Sequence, residues 1–326
     1  MTSKANFQSA ADVFDTWRDD VHTGAPPVFY PIGSGELARI EVGPKLVTLI
    51  GGAPGAGKTA FTMQAVVDAL RMTPTLRALV CNIEMTPTVL LDRQLARLSG
   101  IDLATIRYRR FTAEHADRLD QALNTLETLA ERLAFVRPPF NLDNVATSAD
   151  AFHADLIVLD YIQRIPPPGE HGDKRGSVDA TMNYLRQFAD AGVAMIVVAA
   201  VSRGKDNKGR STYSGDALTL ASFRESSELE FGADDAFILV PKEDDAEDGV
   251  AMVTLRHLKA RHTEAKDIAL RFDRRTQRFE VAEGGTGRAR PSSGRLQNAL
   301  HSAWDRTSPA KDEDDSQGFE EFQDFA

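Results

Sequence analysis

The run Leu46-Val-Thr-Leu-Ile-Gly-Gly-Ala-Pro-Gly-Ala-Gly-Lys-Thr59 constrains this chain more than any other segment. An apolar, β-branched stretch meets Gly52-x-x-x-x-Gly57-Lys58-Thr59, and a helical pattern from Ala60 to Leu70 follows at once. Strand, glycine loop and helix in that order make an anion cradle. Without a Cβ, successive backbone N–H groups can converge on one phosphate, and the new helix adds its unpaired N–H groups and positive dipole end. The cradle is assigned to Gly52, Ala53, Pro54, Gly55, Ala56, Gly57, Lys58, Thr59 and Ala60. Lys58 is expected to reach the β- and γ-phosphates of ATP, and the Thr59 hydroxyl to ligate Mg²⁺.

The rest of the chain alternates apolar strands with helices. Strands are expected at Leu46–Ile50, Ala78–Ile83, Leu156–Leu159 and Ala194–Ala200, with helices to Met72, over Thr88–Leu98, over Ala113–Leu133 and over Val178–Ala191. That order argues for an α/β fold with a mostly parallel sheet flanked by helices. After Ala236 only strands follow (Ala236–Val240, Ala251–Leu258, Ile268–Phe272, Gln277–Val281), a C-terminal antiparallel β extension. Residues 1–32 read as a segment holding a short amphipathic helix (Ala10 to Val21) and a Gly/Pro linker. Residues 33–282 read as the globular domain, and 283–326 as a disordered Gly/Ser/Arg then acidic tail.

Charge excludes little until it is localised. The net charge over 326 residues is −10. Seven acids and one lysine fall between Lys311 and Ala326, so −6 of that belongs to the tail. Within the body, Lys205, Lys208 and Arg210 share one loop, and a denser basic set lies between Arg256 and Arg278. Local patches, not the total, decide whether nucleic acid can bind. No apolar run approaches the ~20 residues of a membrane span, and the N-terminus lacks a signal-peptide core. The single cysteine, Cys81, excludes an internal disulfide and a cysteine metal cluster. The chain reads as cytoplasmic.

Two carboxylates follow the glycine loop. Leu156-Ile-Val-Leu-Asp160 is an apolar strand ending in an aspartate, and in a phosphate-loop fold the neighbouring strand supplies the carboxylate that helps hold Mg²⁺. Glu84 ends the second strand, where ligands bind in open α/β sheets. From position alone it is either the base that polarises the attacking water or a solvated acid at the entry of the helix opened by Pro87.

Taken together, Asn82-Ile-Glu-Met-Thr-Pro87, Leu159-Asp-Tyr-Ile-Gln163, Val201-Ser-Arg203 and Phe223-Arg-Glu-Ser-Ser-Glu-Leu-Glu230 resemble the C-terminal motor domain of DnaB-type replicative helicases. Leu258-Lys-Ala-Arg261 resembles that family's Lys-x-Arg element, and Leu270-Arg-Phe-Asp with Phe279 its closing hairpin. The resemblance runs from about residue 33 to 281, and the order of the motifs makes it specific. It implies a RecA-like core, a homo-oligomeric ring (usually a hexamer) and ATP-driven movement on single-stranded DNA. By position, Glu84 becomes the catalytic base. Arg261, with Lys259 beside it, becomes the finger that reaches the neighbouring subunit's ATP. The loop Arg203-Gly-Lys205-Asp-Asn-Lys208-Gly-Arg210 becomes the channel-lining segment whose cations meet backbone phosphates.

The departures are equally specific. The family's glutamine before Ser-Arg is replaced by Ala199-Ala200, which leaves Gln163 as the nearest group for that nucleotide contact. Ser227 stands for a glycine, and Phe231-Gly232 for Gln-Asp. The helix before Leu156 is short, and the separate N-terminal helicase domain is not expected. The tail Asp312–Ala326 mixes acids with three phenylalanines, which suits solubilising disorder or a peptide that docks on a replication or repair protein. Two other classes stay open: a nucleotide-switched assembly or regulatory ATPase, favoured by Ala200, and a RecA-type recombinase.

Overall fold

The computed structural model describes residues 7–169, 174–202, 204–205, 211–212, 218–223, 232–242 and 249–282. Arg203, Lys208, Arg210, Tyr213, the segment 224–231 and the tail 283–326 lie outside the described residues, and Lys205 is described in its backbone alone.

Strands β1 (Val47–Gly52), β2 (Ala78–Asn82), β3 (Leu133–Phe135), β4 (Leu156–Asp160) and β5 (Ala194–Ala200) are followed by a two-residue pair, β6 (Gly204–Lys205) and β7 (Ser211–Thr212). Then come β8 (Asp235–Pro241), β9 (Val250–Ala260), β10 (Ile268–Asp273) and β11 (Arg278–Val281). Nine of them form one sheet in the order β11-β10-β9-β8-β1-β5-β4-β2-β3. From β8 to β3 every pairing is parallel, and β8, β9, β10 and β11 pair antiparallel in succession. The connection from β1 runs one way to β2, whereas the chain returns through β4 and β5 and leaves the other way to β8. The carboxyl end of β1 is therefore a crevice of the kind in which open α/β sheets bind ligands.

Among the described residues the α-helices are α1 (Ala10–Thr23), α2 (Lys58–Met72), α3 (Pro87–Ser99), α4 (Leu103–Arg107), α5 (Ala116–Glu127), α6 (Leu142–Phe152) and α7 (Lys174–Asp190). Successive strand residues face opposite sides, and both sides are covered. Ile50, Val80, Val158 and Ile196 join Phe61, Val66 and Leu70 of α2 in one core. Leu49, Cys81, Leu159 and Val197 join Val145 of α6 and Leu185 of α7 in a second. That double burial is why these strands read as unbroken apolar runs. A buried ion pair, Arg97 to Asp68 at 2.9 Å, ties α3 to α2.

Between Ala113 and Leu133 the structure departs from the expected single helix. A 3₁₀ turn over Ala113–His115 precedes α5, another over Ala130–Arg132 follows it, and Leu133 opens β3. The cause is long-range: Leu133, Ala134 and Phe135 pair with Ala78, Leu79 and Val80 of β2. No local pattern announces a three-residue edge strand.

Candidate nucleotide site

The glycine loop leaves β1 at Gly52 and re-enters helix at Lys58. Gly57, the residue before α2, sits in the left-handed region at φ 89°. A Cβ there would come within 2.8 Å of Phe279 Cζ and 3.0 Å of Phe272 Cε1, two rings stacked at 4.1 Å. Glycine is thus required twice, by conformation and by space. The hairpin β10–β11 is the wall against which the loop closes.

Lys58 Nζ donates to the carbonyls of Gly52 (2.9 Å) and Ala53 (3.1 Å), which folds the ammonium over the loop mouth. Burial pushes its pKa down, while Asp160 and Glu84 pull it up. The Thr59 hydroxyl donates to Asp160 Oδ2 at 2.6 Å, and Asn82 Nδ2 donates to the same oxygen at 2.8 Å. Burial raises the Asp160 carboxyl above the usual carboxylate range, and the Thr59 hydrogen bond and Lys58 oppose that. The first helical hydroxyl and the strand-end carboxylate therefore converge on one point.

Asn82 also organises Glu84, since its Oδ1 accepts from the Glu84 N–H (3.0 Å) and the Met85 N–H (2.8 Å). Lys58, Thr59, Glu84 and Asp160 all line one pocket of about 490 Å³, with Pro54, Gly55, Gly57 and Ala60. Among the other lining residues, Arg93 from α3 and Phe272, Arg274 and Gln277 from the closing hairpin carry no role expected from the sequence. The Arg93 Nε is buried with no hydrogen-bond partner among the described residues. The only hint of it in the sequence is that α3 starts at a strand end where ligands bind.

Three expected residues, Gln163, Arg261 and Lys259, lie elsewhere. Gln163 does not line the pocket, although Ala200 does. Its amide is spent on Ala200, accepting from the Ala200 N–H at 3.1 Å and donating to the Ala200 carbonyl at 3.3 Å. Arg261 follows β9 at the opposite end of the sheet, where Ala260 pairs with Asp235 and Asp235 with Thr48. From Thr48 to Gly52 the strand spans about 13 Å at ~3.3 Å per residue. Arg261 Nη1 donates to Asp234 Oδ1 at 2.6 Å. Lys259 is half-buried, and burial, then Arg261, lower its pKa.

Chemically, the pocket offers a cradle of N–H groups, three cations (Lys58, Arg93 and Arg274), a carboxylate with an adjacent hydroxyl, and a second carboxylate at its rim. Among the described residues no group of three His, Cys, Asp or Glu side chains could hold a metal. Thr59 with Asp160 fits instead the sparse protein ligation of Mg²⁺, which keeps water and substrate oxygens as its other ligands. No helix among the described residues is long and apolar enough to cross a membrane.

The model of the DnaB-like helicase C-terminal domain matches residues 42–281. Among solved structures, an ATPase domain aligns with a TM-score of 0.71 at 18% identity, covering 85% of this chain and 100% of that one. A DnaB-like replicative helicase, solved for its interactions with primase, aligns at 0.71 and 17% identity over 87% of this chain and 69% of that one. No curated protein sequence matches. At such identities the structures speak for the fold alone, and the match over most of the sequence speaks for the family. The chain belongs to the DnaB-like helicase C-terminal domain family.

Proposed function

We propose that this chain is an ATP-hydrolysing motor that works as a homo-oligomeric ring, by family analogy a hexamer, on single-stranded DNA. One observation supports the reading: the nucleotide pocket and Arg261 stand at opposite ends of one sheet, so an ATP served by Arg261 would be a neighbour's. Lys58 and the loop N–H groups bind and orient the β- and γ-phosphates. Glu84 accepts the proton of the attacking water, and the neighbour's Arg261, with Lys259, meets the charge spreading onto the γ-phosphate. Arg93 and Arg274 add further cations from the same chain. Thr59 and Asp160 would hold Mg²⁺, which when bound neutralises phosphate charge.

Helix α1 supports self-association. None of its residues is buried, and Phe14, Trp17 and Val21 lie exposed along it. An apolar groove lined by Leu91, Leu95, Phe111, Leu119, Leu123 and Leu126 runs between α3 and α5. The exposed apolar side chains of α1 suit such a groove on a second copy.

For DNA, the reading rests on Arg203, Lys205, Lys208 and Arg210. The backbone of β6 and β7 pairs antiparallel at Lys205 and Ser211, just beyond β5 in the chain. The test is the ATPase rate with and without single-stranded DNA, with native mass measured on the same sample. A ring whose turnover responds to DNA supports the motor. A second reading, a nucleotide-switched ATPase, is favoured by the Gln163–Ala200 contact, which puts a closed amide pair where the family has a glutamine facing the nucleotide. It predicts assembly with no DNA response.

A further inference from the structure

Asp234, which immediately precedes β8, plays no part in the sequence reading, yet three donors converge on its side chain. It is 2% exposed. Arg261 Nη1 donates to Oδ1 at 2.6 Å; Arg186 Nη1 of α7 and the Val47 N–H donate to Oδ2 at 2.7 and 2.8 Å. Its backbone is equally committed: the Asp234 N–H donates to the Val47 carbonyl at 2.8 Å, and the Arg261 N–H donates to the Asp234 carbonyl at 3.0 Å. Asp234 thus joins the first residue of the strand that leads to the glycine loop, the helix after β4, and the residue after β9.

An arginine 40% exposed on its side chain would by itself sample many rotamers. Here one guanidinium nitrogen is fixed to a carboxylate that cannot move, because Val47 and Arg186 hold its other oxygen. Charge-assisted contacts of this kind are short and strong, and the fixed carboxylate gives this one its direction. We infer that Asp234 is a positioning residue: it sets the pose of Arg261 for the nucleotide of the neighbouring subunit and makes that pose rigid with the chain's own β1. The inference rests on the proposed service of Arg261 in trans. Catalysis of this type tolerates little misplacement, since an error of about 1 Å can cost about a hundredfold in rate.

The test is Asp234→Asn, which keeps shape and burial but loses the charge and one acceptor. Assembled Asp234→Asn protein is expected to lose about tenfold to a hundredfold in kcat, with KM for ATP changed by less than about threefold because its own cradle is intact. Mixed with Glu84→Gln subunits it should regain activity: its sound pocket then meets a correctly held Arg261 from the neighbour. A merely structural Asp234 would damage its own pocket, and mixing would not rescue it. Arg261→Ala mixed with Glu84→Gln is the control. If that control is rescued and the Asp234→Asn mixture is not, the inference is overturned alone; if the control fails, service in trans fails and takes the inference with it. Should Asp234→Asn not fold, Arg186→Gln keeps the carboxylate and removes one of its donors. A several-fold loss of kcat with the same rescue is then expected, and an unchanged kcat overturns the inference.

Discussion

At the carboxyl ends of β1 and β4, charged groups face a pocket. Among the described residues Lys58 donates to two loop carbonyls, Asp160 accepts from a hydroxyl and an amide, and the buried Arg93 Nε has no hydrogen-bond partner. At the amino end of β1 the situation is reversed. Asp234 is closed off by two guanidinium groups and a backbone N–H, and Asp235 by His257 Nε2 at 2.8 Å. On the proposed reading, one end of the sheet receives a polyanion and the other holds an arginine still. The two lie too far apart to serve one ATP within a chain, so the proposed catalytic unit is the junction between two copies.

Breaking the receiving end should have the most severe consequence. Lys58→Ala is expected to abolish ATP hydrolysis, because the β- and γ-phosphates lose the cation nearest the loop and Arg93 lies on another element. Turnover measured by phosphate release that stays near wild type would remove the nucleotide assignment.

Breaking the holding end should cost almost as much, but under one condition. Arg261→Ala is expected to slow assembled protein by about a thousandfold, the lower range for an arginine finger. Binding of Mg·ATP by the isolated chain, measured by titration calorimetry, should be unchanged. Loss of binding in the isolated chain would make Arg261 a structural residue.

Glu84→Gln probes the receiving end more finely. The amide keeps the shape and the backbone contacts from Asn82 but cannot accept a proton, so hydrolysis per bound ATP should fall about a hundredfold or more. Normal turnover per bound ATP would leave Glu84 as a helix-entry acid.

The mildest consequence concerns the core between the two ends. Burial pushes the Cys81 thiol up to about 12. Below that value the folded protein keeps the unreactive thiol, whereas the unfolded chain ionises near its usual ~8.5. A thiol-reactive chromophore at pH 8 should label the native protein far more slowly than the denatured one; equal rates would contradict the packing of β2.

The receiving end is largely legible in the sequence, and the holding end is not. Gly57, Lys58 and Thr59 are contiguous, and Asp160 and Glu84 end apolar runs that persist as doubly buried strands must. Strand β5 occupies Ala194–Ala200, the span its apolar run alone implies. Arg93 and the hairpin residues Phe272, Arg274 and Gln277 reach the pocket only because α3 and β10–β11 pack beside the loop. Asp234 meets Val47 across 187 residues of chain. Its role is written in register, not in local pattern. The same reason hides β3, whose three residues are a strand only because β2 lies alongside.

Whether one active site is made by two copies can be decided by mixing. Arg261→Ala and Glu84→Gln subunits, each nearly inactive alone, are co-assembled, and steady-state ATP hydrolysis is followed as the ratio is varied. Activity is expected to rise well above either parent and to peak near equal proportions, since each Arg261→Ala pocket then meets an intact arginine from its neighbour. Activity that never exceeds the sum of the parents, in mixtures shown by native mass to contain both chains, would contradict a shared site.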